Sequence, residues 1–250
     1  HFLTPMDTHT RNGRTHAPRV SGASRLTQAS RYPVAVDIVL FTIQDDSLKV
    51  LLLRRASAPF QSDWALPAGF VRSSESVDEA ALRELQEETG ITSVYLEQLY
   101  TFGDLNRDPR GRVIAVSYYA VVGSGQRHSV ATRPADERWF PVNRLPELAF
   151  DHKQIISYAL ERLRNKVNYT SVAFQLLPHK FTLSELQRAY EVILSRSLDK
   201  RNFRKKMLQL GILKKTQEQQ VEGRRRPARL YSFTETRVIK LQEKGIIVPF

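Results

Sequence analysis

Cysteine is absent from the 250-residue chain. That excludes a disulfide framework, thiolate catalysis and any zinc site built on sulfur. No apolar run approaches the roughly 18 residues that a membrane-crossing helix requires, and no charged-then-apolar leader opens the chain. The expectation is a cytoplasmic protein with neither a membrane span nor a secretory signal. Internal repeats are lacking as well. Acidic residues are scarce beside basic ones, 26 Asp+Glu against 38 Lys+Arg, for a formal net charge of +12. The imbalance is local: residues 1–31 carry +4, residues 32–150 carry −4, and residues 151–250 carry the full +12. Hydrophobic content of 41% and charged content of 26% are those of a folded protein, not a mostly disordered chain. A chain of this length buries one good core or two modest ones. The charge split favours two units, the second with a polyanionic partner.

Residues 1–31 lack periodicity and are rich in Ser, Thr, Arg and Gly, the composition of a disordered tail. Met6 is the candidate start of the native chain. From Val34 the texture changes. VAVDIVLFTI and LKVLLLRR are β-rich runs around the turn-forming QDDS, which predicts a hairpin. LPAG, residues 66–69, is predicted to end that strand region in a loop. Ser76 opens a helix, with Glu79 three residues on completing a capping box, and Gly90 closes it. VYLEQLYTF and VIAVSYYAVV are further strands separated by the turn-rich GDLNRDPRGR, and RWFPV is a last short one.

Residues 153–167 place Ile155, Ile156, Ala159, Leu160 and Leu163 on one helical face. Beyond Pro178, Thr182 and Glu185 form a second capping box, and Asp199 caps KRNFRKKMLQL, which Gly211 ends. ILKKTQEQQVEGRRRPARLYSF then reads as two strands around an arginine-rich turn. Helix, helix, helix, basic hairpin is the order of a winged helix-turn-helix.

Residues 69–91, GFVRSSESVDEAALRELQEETGI, fit the pattern G-x5-E-x7-R-E-U-x-E-E-x-G-U, U being a large aliphatic residue, at every specified position. A chance match somewhere in the chain is on the order of 10⁻⁸ at ordinary residue frequencies. Glu84, Glu87 and Glu88, three and four residues apart, share one helix face. Carboxylates that close repel unless a cation sits among them. Oxygen ligands without nearby His or Cys select Mg²⁺ or Mn²⁺ over zinc. Such ions bridge a pyrophosphate, neutralise charge developing on phosphorus and position an attacking water. Glu84, Glu87 and Glu88 are therefore candidate metal ligands and catalytic residues. Arg83 is expected to pair with a carboxylate, with Glu75 the candidate. The pattern is the Nudix box, and residues 32–150 resemble the Nudix hydrolases. Members of that family often use a further glutamate outside the box; Glu137, on a predicted loop, is the candidate here.

Residues 201–230 hold ten basic side chains, among them Arg201, Arg204, Lys205, Arg224, Arg225, Arg226 and Arg229, against only Glu218 and Glu222. Alternation with Phe203, Met207, Leu208 and Leu210 gives the helix an apolar side that anchors and a cationic side suited to a major groove. Arg201, Asn202, Arg204 and Lys205 are candidate DNA contacts, and the wing arginines Arg224, Arg225, Arg226 and Arg229 suit phosphate or minor-groove contact. A solvated basic surface would have the same composition.

WALPAGFV, FGDLNRDPRGRVIAVSYYAVV, RWFPV, LAFDH and FTLSELQ…LDKRNFRKKML…GRRRPARLYSF together resemble the NrtR family of Nudix-related transcriptional repressors of NAD metabolism. The fold class expected is α+β: an N-terminal Nudix α/β/α sandwich over 32–150, a linker helix over 151–168 and a winged helix-turn-helix over 169–250. The resemblance implies a homodimer that binds operator DNA and senses ADP-ribose. Arg54, Asp104, Arg107 and Arg110 are the candidate ligand contacts. One departure is Ala68, where relatives often have a second glycine; its methyl group could crowd a substrate. The complete box leaves open whether the ligand is hydrolysed by a Mg²⁺- or Mn²⁺-dependent ADP-ribose pyrophosphatase activity or only sensed. A Nudix enzyme acting on nucleic-acid ends would use the same basic surface.

Overall fold

The computed structural model describes residues 31–92, 94, 96–123, 137–167, 171–220 and 227–234. The tail expected before Arg31 and the wing residues Arg224, Arg225 and Arg226 lie outside the described residues.

β1 (Val34–Gln44) and β2 (Ser47–Arg54) form the expected hairpin, with Asp45 and Asp46 at positive φ in its turn. β1 also runs parallel to β6 (Ile114–Val121), which pairs with β5 (Glu97–Phe102). β7 (Glu137–Pro141) and β3 (Trp64–Ala65) pair with β2, completing a mixed sheet with β4 (Ala68–Phe70) against β1. Two expectations change. Residues 68–70 of LPAGF are strand, because β2 leaves β1 free over Ala35–Asp37 and Ala68–Phe70 takes up those bonds. Glu137 is the first residue of β7, paired with Leu53, and not part of a loop.

β1 reads as an almost continuous apolar run because both of its faces are covered. Its residues divide by parity. Val36, Ile38 and Leu40 pack beneath α1 (Val77–Thr89), with Ala80, Ala81 and Leu85. Val39 and Phe41 pack against α2 (His152–Val167), with Ile155, Ile156, Ala159 and Leu163. A helix on each face of the sheet makes the expected α/β/α sandwich, but its second helix is α2, which the sequence placed outside 32–150 as a linker.

α1 starts where Ser76 Oγ accepts from the Glu79 amide and the Glu79 carboxylate accepts from the Ser76 amide; it ends at Gly90, whose φ of 72° suits a residue without a Cβ.

After α2 come a 3₁₀ turn (Ser171–Leu176), β8 (Phe181–Thr182), α3 (Leu183–Leu194), α4 (Lys200–Gln209), β9 (Leu213–Gln220) and β10 (Ala228–Phe233). The last two strands and β8 form a three-stranded sheet in the order β8-β10-β9. Thr182 and Glu185 make the second capping box, and Asp199 caps α4 through the Asn202 amide. Phe203 and Met207 of α4 join Leu186, Tyr190 and Ile193 of α3 in the same core cluster that holds Val39, Phe41 and the apolar face of α2. The sandwich and the winged helix thus share one continuous core through α2.

Candidate functional site

Arg83 is the hub of α1's acidic face. It grips Glu75 with two parallel bonds of 2.8 and 2.6 Å, the pairing expected from the sequence, and reaches Glu84 at 2.6 Å, Glu87 at 3.1 Å and the Phe70 carbonyl at 3.2 Å. The Arg83 guanidinium and the Arg72 amide hold the Glu75 carboxyl down to about 2. The loop between β4 and α1 is therefore tied to the helix by one guanidinium. Gly69 is required by close approach: a Cβ there would stand 1.8 Å from a Glu84 carboxylate oxygen. Beside it, the Ala68 amide donates to Glu88 at 2.9 Å. Burial pushes the Glu88 carboxyl up to about 7, against the pull of that amide, and the charges on Glu84 and Glu87 add to the rise.

Arg83 and Arg72 pair with Glu75, Glu84 and Glu87, whereas Glu88 is held by the Ala68 amide and feels the charges of Glu84, Glu87 and Arg55. The carboxylates that crowd this face are all hard oxygen donors suited to a divalent cation. The box residues fit the metal expected of them.

A cavity of about 220 Å³ opens next to Gly69. Its wall includes Asp37, Arg55, Phe70, Arg107, Arg110 and Phe150, with the Ala68 methyl among them. Phe150 is the floor that organises the cations: the Arg55 guanidinium lies 4.7 Å and that of Arg110 5.7 Å from its ring centre. Arg110 is braced by Asp108 at 2.7 and 3.0 Å. Burial and the neighbouring Arg110 both lower the Arg55 guanidinium's affinity for its proton, although it remains a cation. Phe150 has φ 54°, a left-handed conformation that costs a bulky residue energy and that clusters at ligand sites.

Beneath the cavity is a buried ionic network. Arg107 Nη2 bonds Asp37 at 3.0 Å and Asp151 at 2.7 Å, and its Nε bonds Asp151 at 2.9 Å. His152 Nδ1 accepts from the Leu66 amide at 2.9 Å, while its Nε2 faces Asp37 at 3.6 Å. Burial raises the Asp37 carboxyl, but His152 and Arg107 outweigh it and leave it below its usual range. Asp37, Asp151 and His152 have donor atoms within 4.8 Å of one another, a spacing compatible with a metal. The Arg107 guanidinium already bridges the two carboxylates, and His152 Nδ1 is used by Leu66. The protein's own cation fills the role.

The candidate ligand contacts are thus distributed unevenly. Arg107 and Arg110 line the cavity, Arg107 with its donors bound to carboxylates. Asp104 is exposed in its turn and outside the cavity wall. Arg54 points away, bonding the Ser62 carbonyl and approaching Trp64, and Arg55 takes the place in the wall. Adjacent strand residues face opposite sides, so the neighbour of the expected arginine supplies the cation. Glu137 stands at the head of β7 and is likewise outside the cavity wall.

On α4, Arg201, Asn202 and Lys205 are exposed together on the outer face. Arg204 is the exception to the expected contact set. It lies between the buried Phe203 and Met207, bonds Ser184 of α3 at 3.2 Å, and has its Nε buried. Arg229 of β10 is exposed. No helix among the described residues is long and apolar enough to cross a membrane.

An α/β/α sandwich with a complete Nudix helix, fused through a shared core to a winged helix, defines a Nudix-type regulator class. Two family models match: the NUDIX domain over residues 31–160 and the NrtR DNA-binding winged helix domain over residues 173–233. The chain belongs to the NrtR family. It is 38% identical over 213 residues to the "ADPR responsive transcriptional repressor NtrR" of Acinetobacter baylyi, covering 82% of this chain and 85% of that one. It is also similar to Shewanella oneidensis NrtR solved with a 27mer DNA, at 37% identity and TM-score 0.69, covering 82% of this chain and 95% of that chain. The Nudix domain of the same Shewanella protein, solved with ADP ribose, matches at 39% identity and TM-score 0.50, covering 57% of this chain and 99% of that one.

Proposed function

We propose that this chain is a DNA-binding repressor of NAD metabolism genes that takes ADP-ribose in its Nudix cavity and leaves DNA when the ligand binds. One observation carries the reading: a phosphate-sized cationic cavity beside the box carboxylates and an exposed basic helix face are built on a single core. Arg201, Asn202 and Lys205 would meet DNA from α4, with Arg229 and the wing arginines on the backbone. Arg55 and Arg110 would meet the diphosphate, and the rings of Phe70 and Phe150 the flat parts of the nucleotide. Glu84, Glu87 and Glu88 would hold Mg²⁺ or Mn²⁺, which supplies charge neutralisation at the diphosphate. A cytoplasmic homodimer reading two half-sites suits a winged helix. The names of the Acinetobacter and Shewanella relatives support both ligands.

The test is a mobility shift on the promoter region of the protein's own gene, with ADP-ribose and Mg²⁺ varied independently. Specific binding released by ADP-ribose is the expected result. Binding indifferent to ADP-ribose removes the effector role, and no binding at low salt removes the repressor role. The intact box favours a second, compatible activity, hydrolysis of ADP-ribose to AMP and ribose 5-phosphate. Turnover with Mg²⁺ that disappears in Glu88→Gln would support it, and equal turnover in both proteins would show that these carboxylates are not catalytic.

A further inference from the structure

The three residues at the entry to α2 each touch a different part of the ligand site. Phe150 is cavity wall and carries the rings and guanidiniums already described. Asp151 holds Arg107, which comes from the turn across the cavity. His152 takes the Leu66 amide, two residues before Ala68, whose own amide holds Glu88. The Phe150 ring also packs 5.3 Å from the His152 ring.

The far half of α2 is bonded with equal directness to the winged helix. Arg164 donates to the Ile193 carbonyl at 3.1 Å and to Ser195 Oγ at 2.9 Å, gripping the C-terminus of α3. From α3, Glu191 accepts the Leu198 amide at 2.9 Å and Gln187 donates to the Leu198 carbonyl at 2.9 Å. Leu198 precedes Asp199, the N-cap of α4. An unbroken series of hydrogen bonds and covalent steps therefore leads from the cavity wall to the N-terminus of the helix whose exposed Arg201, Asn202 and Lys205 face outward.

We propose that α2 is the coupling rod between ligand and DNA, with the Phe150–Asp151–His152 joint as its input and the Arg164 grip on α3 as its output. This deepens the repressor reading and rests on it. Both ends have the properties a rod needs. The input is buried and ionic: side-chain exposure is 4% for Arg107, 3% for Asp37 and 13% for Asp151, so its geometry is fixed by a few bonds that a competing anion can change. A diphosphate arriving among Arg55, Arg110 and Arg107 competes with Asp151 for Arg107's donors. Loss or weakening of those bonds frees the first turn of α2 beside Phe150, whose left-handed backbone is a costly conformation for a bulky residue. The rod itself is stiff, four turns of helix packed along Ile155, Ile156, Ala159 and Leu163 in the shared core. Its displacement must be passed to α3 and so to α4, because packed cores move between discrete arrangements and do not absorb shifts smoothly.

The test measures coupling, not binding alone. DNA affinity of the full chain is titrated by fluorescence anisotropy with and without ADP-ribose, for the unmodified protein, Asp151→Asn, Arg164→Gln and the double variant. Asp151→Asn keeps the shape and one acceptor for Arg107 while removing the charge. An effector that weakens DNA binding does so by about 5–150-fold in coupled systems. Each single variant is expected to bind DNA without ligand but to lose most of that ratio, and the double variant to lose no more than either single one, since both lie on one route. By reciprocity the same loss must appear when ADP-ribose affinity is measured with and without DNA. An unchanged ratio in a folded Asp151→Asn protein overturns the proposal. Should that variant not fold, hydrogen exchange on the unmodified protein decides: ADP-ribose is expected to alter exchange at the Leu66 and Leu198 amides and leave the Glu79 amide in the α1 cap unaffected. DNA release with Leu198 unaltered overturns the rod. No release of DNA by ADP-ribose in the unmodified protein overturns the repressor reading itself and the rod with it.

Discussion

Replacing Arg107 with methionine keeps much of the side-chain volume and removes the only guanidinium bonded to Asp37 among the described residues. Asp37 and Asp151 then share a site from which water is nearly excluded, with side-chain exposures of 3% and 13%. Removing one partner of a buried ion pair costs about 3–5 kcal/mol, because the remaining charge stays desolvated. At roughly 2–4 °C per kcal/mol for a chain of this size, the melting midpoint should fall by about 10 °C. The pH dependence is a sharper check. In the unmodified protein the Asp37 carboxyl is held below its ordinary value: burial opposes this, but His152 and Arg107 outweigh it. The stability its ionisation contributes is present above the unfolded value, near ~4, and is lost only as pH falls through the lower folded value. Without Arg107, burial and the facing carboxylate are opposed by His152 alone, so the folded pKa moves up from its lowered position. The variant loses that part of the stabilisation wherever the Asp37 carboxyl of the unmodified protein is ionised, and the loss shrinks as acidification protonates the variant's carboxyl first. Thermal or urea unfolding of the two proteins from pH 8 to pH 4.5 should show the gap at its full size at pH 8 and narrowing below about pH 5. A gap under about 1 kcal/mol at pH 8, or one indifferent to pH, would refute the buried network as a source of stability.

Gly69→Ala drives a methyl group into the Glu84 carboxylate, so Mn²⁺ affinity, read by calorimetry, should drop about tenfold or more, roughly 1.4 kcal/mol, with little change in melting midpoint. Arg201→Ala and Lys205→Ala should each weaken operator binding and reduce the slope of log K against log salt by about 1 for each phosphate no longer neutralised; a slope unchanged in both would place DNA elsewhere. Chelation of divalent ions with EDTA should raise the ADP-ribose concentration needed for DNA release while leaving DNA affinity intact. Loss of DNA binding in EDTA would contradict a metal confined to α1.

What the sequence made legible was local. Ser76, Glu79, Gly90, Thr182, Glu185 and Asp199 are cap residues whose partners lie within four positions, and each cap is formed. The three glutamates of α1 follow from helical spacing alone, and Arg83 and Glu75 sit in one short loop-helix segment. The cavity was less legible because its walls come from β1, the loop after β2, β4, the turn after β5 and Phe150 just before α2. Two signals were nonetheless available. Asp37 is the single acid in the run VAVDIVLF, and a carboxylate inside a doubly covered strand must have a buried partner. Arg54 and Arg55 straddle the end of a strand, where a one-residue choice reverses the side faced, and composition cannot make that choice. Arg204 has the same ambiguity on a helix: its place between Phe203 and Met207 turns it toward α3, although its charge suggested DNA.

The distribution of charge keeps two phosphate ligands apart on one small core. The helix α1 carries Asp78, Glu79, Glu84, Glu87 and Glu88 against Arg83 alone, so it repels a bare phosphate and can approach one only through a cation. DNA, which offers phosphates at high density, is therefore disfavoured at the box face, whereas a chelating diphosphate that brings or finds a divalent ion is not. The exposed face of α4 has the converse property, since Arg201 and Lys205 attract any polyanion and gain from many spaced phosphates at once. A single diphosphate releases few counterions there and competes poorly with a duplex. Electrostatics alone thus favours a separate surface for each proposed ligand. What remains for the covalent structure is to connect them, and among the described residues α2 is the helix whose ends are bonded to both.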